Sequence, residues 1–213
     1  MYGGQFCVAG WDPEAERMVR PMSSPWGHWP AEVIGRRKFC TGNLVRVTPT
    51  EERSKRSFPH KTEDVVIDPA SISRCGVLQG AEFTAAISGS VSSSITKIFD
   101  NNLVIENSCY VPANVKCRSL GAVDRALNAV TVYEDGWGKL RCQIRRGSAH
   151  AQFKVSSKLL KDIYDADGNE GLEALREGCT RAHVRIGLAR AWSPRDSGQP
   201  KRCYAMVNNI IFY

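Results

Sequence analysis

A histidine followed three residues later by two adjacent acidic residues is the arrangement in this chain best suited to chemistry. His60, Glu63 and Asp64 lie in the stretch SFPHKTEDVVI, from Ser57 to Ile67. A histidine nitrogen and two carboxylates are common ligands of divalent cations, and the same groups can act as general bases. The three residues are therefore the catalytic candidates of the chain, with fold stabilisation and nucleic-acid contact as the alternatives.

Backbone geometry favours stabilisation. In an extended strand consecutive side chains point to opposite faces, so Glu63 and Asp64 cannot both converge with His60. We expect His60 and Thr62 to hydrogen-bond a loop between strands. We expect Glu63 to meet an arginine such as Arg20.

Other sequence signatures of enzymes and metal sites are absent. The chain has no Gly-rich phosphate loop, no G-x-S-x-G elbow and no H-E-x-x-H helix. Its cysteines stand at positions 7, 40, 75, 109, 117, 142, 179 and 203, and no pair has the two-to-four-residue spacing of a zinc knuckle. We therefore expect reduced, structural cysteines, no cofactor, no metal and a non-catalytic role.

Length and composition indicate a folded protein that does not cross a membrane. The chain has 213 residues, of which 42% are hydrophobic and 24% charged, enough for one large domain or two small ones. No apolar window is long enough to span a bilayer, and the start MYGGQFCVAGWDPE lacks the regions of a secretory signal. The sequence predicts a soluble, cytoplasmic protein.

The net charge of +7 is concentrated in the second half of the chain. Residues 1 to 110 contain 12 basic and 12 acidic residues, whereas residues 111 to 213 contain 17 basic and 10 acidic ones. Localised positive charge is typical of a surface that meets phosphates. The alternative is a basic surface that only keeps the protein soluble.

Short runs rich in Val, Ile, Phe and Tyr between turn-forming residues predict a mainly β fold with a few short helices. In the first half the predicted strands are Gln5 to Gly10, Arg17 to Pro21 across the turn WDPEAE, Asn43 to Thr48 and Asp64 to Ile67. One or two helical turns are expected in Pro69 to Leu78. The stretch ISGSVSSS, Ile87 to Ser94, is predicted to be a flexible connection.

The second half predicts a small barrel of the oligonucleotide-binding, or OB, type. Its predicted strands are Val115 to Val123, Ala129 to Glu134, Lys139 to Arg146, Ala149 to Val155, Ala182 to Ala191 and Arg202 to Phe212. Two helices, Ser156 to Tyr164 and Asn169 to Glu177, are expected as an insertion at about 156–178. EDGWGK and RRGS are expected to be hairpin turns.

Alternation within these strands places basic side chains opposite the apolar ones, on the exterior face where an OB barrel binds nucleic acid. Solubility and edge protection would also explain them. Exposed aromatic residues beside arginines suit the stacking of unpaired bases, which favours Trp137 in EDGWGK and also Trp192 beside Arg190 and Arg195. The predicted nucleic-acid-binding residues are Lys116, Arg118, Trp137, Arg141, Arg145, Arg146 and Lys154.

Several stretches resemble one family, the prokaryotic dual OB-fold proteins. They are CVAGWDPEAERMVRPM from Cys7, GNLVRVTP from Gly42, PHKTEDVVI from Pro59, and the closing pair HVRIGLARAW and KRCYAMVNNIIF. Two departures stand out. The family more often has asparagine where this chain has Asp64, and KVSSKLLKDIY replaces its Thr-Asp-Pro turn.

The resemblance implies two tandem OB-like barrels, in proteins associated with nucleic-acid binding in prokaryotic defence systems. We expect a first barrel at residues 1–90, a connecting segment at 91–114 and a second barrel at 115–213. The predicted partner is single-stranded or structured nucleic acid. The alternatives are an adaptor for a protein partner and a metal-dependent nuclease.

Overall fold

The computed structural model describes residues 5–30, 33, 39–146, 149–193 and 198–213. The chain divides into two compact units, unit 1 with residues 1–90 and unit 2 with residues 91–213. Each unit has its own sheets and its own buried apolar cluster.

Unit 1 is built from short strands. They are β1 (Gln5–Phe6), β2 (Gly10–Asp12), β3 (Arg17–Met22), β4 (Trp29–Pro30), β5 (Asn43–Arg46), β6 (Asp64–Val66) and β7 (Ser73–Val77), followed by helix α1 (Gly80–Ile87). β2 and β3 form a hairpin, but its first strand is Gly10–Asp12, where Gln5 to Gly10 was predicted; Gln5–Phe6 pairs with β4. β6 adds to β3 in parallel. β1 pairs with β4, and β5 pairs with β7, both antiparallel.

Among the described residues, the buried apolar cluster of unit 1 is small. Trp29, Ile67 and Ile72 are buried together, and the Trp29 indole Nε1 donates a 2.7 Å hydrogen bond to the carbonyl oxygen of Pro21. A small core leaves more of the stability of unit 1 to polar contacts.

One helical turn is present in the stretch where one or two were expected. Pro69–Ser71 forms this 3-10 turn, and the chain then enters β7, because residues 73–77 pair with β5. The stretch Ile87 to Ser94, predicted to be a connection, contains the boundary between the two units; α1 ends at Ile87 and a 3-10 turn covers Ser88–Ser90. Its small hydroxylated side chains make local hydrogen bonds.

Unit 2 contains the longer strands. Its elements are α2 (Ile95–Ile98), β8 (Val104–Ile105), β9 (Cys109–Pro112), β10 (Leu120–Ala126), β11 (Val130–Glu134), β12 (Leu140–Arg146), β13 (Ala149–Val155), α3 (Lys158–Ala174), β14 (Arg181–Leu188) and β15 (Arg202–Phe212).

The sheet of unit 2 has the order β10-β14-β15-β13-β12-β11. β10 and β11 lie at opposite ends of this order, yet only a 3-10 turn at Leu127–Ala129 separates them along the chain. The sheet therefore curls into a barrel, with β13 and β15 parallel and α3 inserted between β13 and β14. This confirms the predicted OB-like barrel. The hairpin β8–β9 is an addition, and its β9 pairs with the start of β15.

Alternating side chains of the strands fill the barrel. On β12 and β13 the inward residues include Cys142, Ile144 and Phe153, all buried. Leu160 and Leu172 of α3 join the same cluster. The period-2 pattern of the sequence therefore identified the inward face of these strands correctly.

One prediction for unit 2 needs correction. The strand expected from Val115 begins at Leu120, because residues 113–119 are irregular, with a turn at 113–114 and Asn114 at a φ of 68°. The two expected helices are present: α3 consists of two helical stretches that meet at a kink at Gly168, whose φ of 60° and ψ of −141° are not helical. Ser157 caps this helix by accepting a hydrogen bond from the backbone N–H of Leu160.

Across the part of the chain that the structure describes, no helix is both long and apolar enough to cross a membrane.

Candidate nucleic-acid interface

Asp64 is the centre of a buried polar network in unit 1. Its carboxylate, fully shielded from solvent, lies 2.6 Å from Nη1 of Arg20 and 3.7 Å from Nη1 of Arg56. Ser54 Oγ donates a further hydrogen bond of 2.6 Å to the other carboxylate oxygen. One carboxylate thus joins β3, β6 and the loop that precedes His60.

The neighbours of Asp64 are also buried. The backbone carbonyl of His60 accepts a 3.0 Å hydrogen bond from Nη1 of Arg20, and that of Glu63 accepts a 2.7 Å bond from the Arg20 backbone N–H. The Asp64 carboxylate thus contacts the Arg20 guanidinium directly, and the buried Glu63, the acid expected to meet Arg20, lies near enough for its charge to act on the same group. Burial by itself lowers the pKa of Arg20. The nearby Cys7, Asp64 and Glu63 have the larger combined effect, so the pKa of Arg20 is raised.

The arrangement of His60, Glu63 and Asp64 suits stabilisation better than catalysis. A general base must reach a proton of the substrate, and the Asp64 carboxylate has no exposed surface. Among the described residues, no group of three or more His, Cys, Asp and Glu side chains is arranged to hold a metal ion.

The outer side of β12 and β13 gathers polar and basic side chains in register. Arg141 lies opposite Lys154, and Arg145 lies opposite His150, with Gln143 and Gln152 paired between them. We call this surface the basic face: it comprises Arg141, Gln143, Arg145, His150, Gln152 and Lys154. β12 and β13 correspond to the second and third strands of an OB fold, which form its ligand-binding face.

The loop between β11 and β12 presents Trp137 at one end of the basic face. Asp135 shapes this loop, because its Oδ1 accepts hydrogen bonds from the backbone N–H groups of Trp137 at 3.0 Å and Lys139 at 2.9 Å. Its Oδ2 lies 2.6 Å from Nε of Arg141, and this hydrogen bond is the main reason that the pKa of Asp135 is lowered. Trp137 itself is 85% exposed.

The predicted cations of the basic face differ in how they are held. Arg141 is half-buried and paired with Asp135, whereas Lys154 is exposed. Arg145 is exposed and donates a hydrogen bond to the carbonyl oxygen of Asn128. Arg146 belongs to β12, but its side chain lies outside the described part, as does Arg195.

Lys116 and Arg118 do not lie on a strand, contrary to the prediction. They belong to the irregular segment before β10, so the alternation that suggested a strand does not apply to them. Arg118 pairs with Asp100 at 2.8 Å and also donates to the carbonyl oxygen of Lys97. Its backbone N–H donates to the same Asp100 carboxylate at 2.9 Å, so Arg118 fastens this segment to the end of α2.

Sequence reasoning singled out Trp192 but missed the aromatic strip to which it belongs, which crosses the start of β15. Tyr204 has the ring of Trp192 at 6.1 Å on one side and the ring of Tyr110 at 6.2 Å on the other. The guanidinium carbon of Arg202 lies 4.2 Å from the centre of the Tyr110 ring. We call Tyr110, Trp192 and Tyr204, together with Arg202, the aromatic strip. The signal in the sequence was alternation on β15, which turns Tyr204 and Met206 away from the buried Cys203, Ala205 and Val207.

The aromatic strip and the basic face adjoin. Met206, two residues after Tyr204 on the same side of β15, pairs with Lys154 of β13. Lys154 pairs in turn with Arg141, and Arg141 with Tyr133 of β11. Adjacent strands lie about 4.8 Å apart, so Arg141 and β15 are separated by roughly 10 Å.

Comparison with known proteins gives one result. Residues 1–210 match the family model described as "Dual OB-containing domain". No curated protein and no solved structure matches the chain. With nearly its whole length matched, and with an OB-like barrel in unit 2, the chain belongs to the dual OB-containing domain family.

Proposed function

We propose that this chain is a non-catalytic module that binds nucleic acid through the basic face of unit 2. The observation that carries the proposal is the register of β12 and β13, which puts Arg141, Arg145 and Lys154 on the side that OB folds use for oligonucleotides. Trp137 extends the surface at the adjoining loop. A role in prokaryotic defence systems is part of the same proposal.

The charge of the basic face supports nucleic-acid binding more strongly than the shape of this surface does. Lysine and arginine contacts to phosphates release counterions, so they give affinity for any sequence and make binding sensitive to salt. Asp135 is the one carboxylate paired with a cation of this face among the described residues. Lys154 and Arg145 are exposed and carry no such ion pair there, which leaves both able to meet phosphates.

The test is fluorescence anisotropy with labelled single-stranded DNA, single-stranded RNA and duplex DNA across a salt series. The variant is Arg145→Gln/Lys154→Gln, which removes one cation from each strand and keeps the Arg141–Asp135 pair. The slope of log K against log salt is negative. If both cations meet phosphates of a single strand, its magnitude should be smaller in the variant by about 1.4. Affinity at low salt should fall with it.

The matched control is Lys55→Gln/Lys61→Gln, which removes the same charge from exposed lysines of unit 1. It should change the slope little. Equal losses in the two variants would mean that net charge, and not the basic face, governs binding. Absence of binding to all three probes at low salt would overturn the proposal and favour a protein-adaptor role.

A further inference from the structure

We propose that unit 2 prefers unpaired bases, and that one base stacks on Trp192 at the aromatic strip. This inference rests on the proposed nucleic-acid binding and specifies the class of ligand for that site. It is carried by ring geometry, which is independent of the charges of the basic face.

The indole of Trp192 is exposed and yet held in position. Its backbone exchanges two hydrogen bonds with Arg202, N–H to carbonyl oxygen, at 3.0 and 2.9 Å. Its ring packs against Tyr204 with an interplanar angle of 55°. Even so, 55% of the residue surface remains exposed. A fixed, accessible aromatic surface loses little conformational entropy when a base stacks on it.

The support beneath Trp192 is itself rigid. Tyr110 is buried, and its hydroxyl lies 3.4 Å from both carboxylate oxygens of Glu106. Arg202 lies over the face of the Tyr110 ring, where its positive charge is attracted to the ring. The added hairpin β8–β9 thus braces Tyr204 from the side opposite Trp192.

The position of the strip suits a strand that also crosses the basic face. Lys154 and Arg141 lie one and two strand spacings from β15, across the sheet, within reach of the phosphates of a strand whose base stacks on Trp192. Trp137 lies beyond them, at the loop after β11. OB folds bind about 4 nucleotides or more, a length compatible with this path.

Stacking on an aromatic side chain requires the face of a base. In a duplex the faces are covered by neighbouring base pairs, and proteins meet base edges and phosphates instead. Single strands, loops and bulges expose the faces, and aromatic side chains bind them with little sequence preference. The aromatic strip therefore selects unpaired nucleic acid.

The experiment compares three labelled probes at one low salt concentration: a thymidine oligomer, an abasic oligomer of the same length, and a DNA duplex. The wild-type chain should bind the thymidine oligomer on the order of 10-fold more tightly than the abasic oligomer. Trp192→Ala should lose most of this difference and leave the abasic and duplex affinities unchanged, and Trp192→Phe should keep much of it. Circular dichroism confirms that each variant folds.

The matched control is Trp26→Ala, since Trp26 is also exposed, at 62%, but belongs to unit 1. It should bind all three probes like the wild type. Equal binding of the thymidine and abasic oligomers, or an unchanged preference in Trp192→Ala, would overturn this inference and leave the proposed function standing. Failure to bind any probe would overturn both.

Discussion

Asp64→Ala should strongly destabilise unit 1. The change removes a fully buried carboxylate that contacts Arg20 and Ser54 at 2.6 Å each and lies 3.7 Å from Arg56. Two buried guanidinium groups would then lose the partner that they share. Removing one partner of a buried ion pair costs about 3–5 kcal/mol, mainly because the remaining charge stays buried.

Urea unfolding followed by tryptophan fluorescence measures this loss. Trp29 is buried in the core of unit 1 and donates to Pro21, so its emission reports on that unit. For a slope of about 2 kcal/mol per molar urea, the predicted loss lowers the midpoint by about 2 M. Glu52→Ala, which removes an exposed carboxylate, serves as the control and should shift the midpoint little.

A change of less than about 1 kcal/mol in Asp64→Ala would refute the structural role of this segment. If the variant were stable and had instead lost a cation-dependent cleavage of nucleic acid, the nuclease alternative would replace it. His60→Ala would then be expected to lose the same cleavage.

Three further predictions concern unit 2. Arg118→Ala should lower the free energy of unfolding by about 1 kcal/mol or less, because the ion pair of Arg118 with Asp100 is about half exposed. It should leave nucleic-acid affinity unchanged. Weaker binding in anisotropy would mean that Arg118 belongs to the interface. Arg185→Met should raise the free energy of unfolding in urea by about 1 kcal/mol or more, because Nε of Arg185 is buried without a hydrogen-bond partner among the described residues, and destabilisation would contradict this. Burial lowers the pKa of His183 from 6.5 to about 4. Between these pH values His183 is protonated in the unfolded chain but not in the folded one. The free energy of unfolding should therefore fall by up to about 3 kcal/mol between pH 6.5 and 4. His183→Gln should flatten that pH dependence in urea titrations, and an unchanged profile would contradict the assignment.

The strands of the barrel were the most predictable part of the chain. β12 and β13 alternate apolar and polar residues, from Leu140 to Ile144 and from Ala149 to Val155, so both the strand and its inward face can be read directly. Residues 115–118 show the same alternation over a shorter length but are irregular in structure. Arg118 in this segment is held by contacts with Asp100, which local alternation does not reveal.

Contacts between distant parts of the chain account for what sequence reasoning missed. Tyr110 and Tyr204 meet because β9 pairs with β15, a register that no local pattern specifies. Asp64 likewise meets Arg20 because β6 pairs with β3, a parallel register that no local pattern specifies.

The most direct test of the account is to locate the bound nucleic acid on the chain. A single-stranded oligonucleotide with photoreactive thymidine analogues would be cross-linked to the full chain, and the modified peptides identified by mass spectrometry. The account predicts cross-links in unit 2, at Trp192, Tyr204 and Trp137, which decrease as salt is raised. Cross-links confined to unit 1, or to the segment around Lys116, would contradict the assignment of the basic face and the aromatic strip as the binding surface.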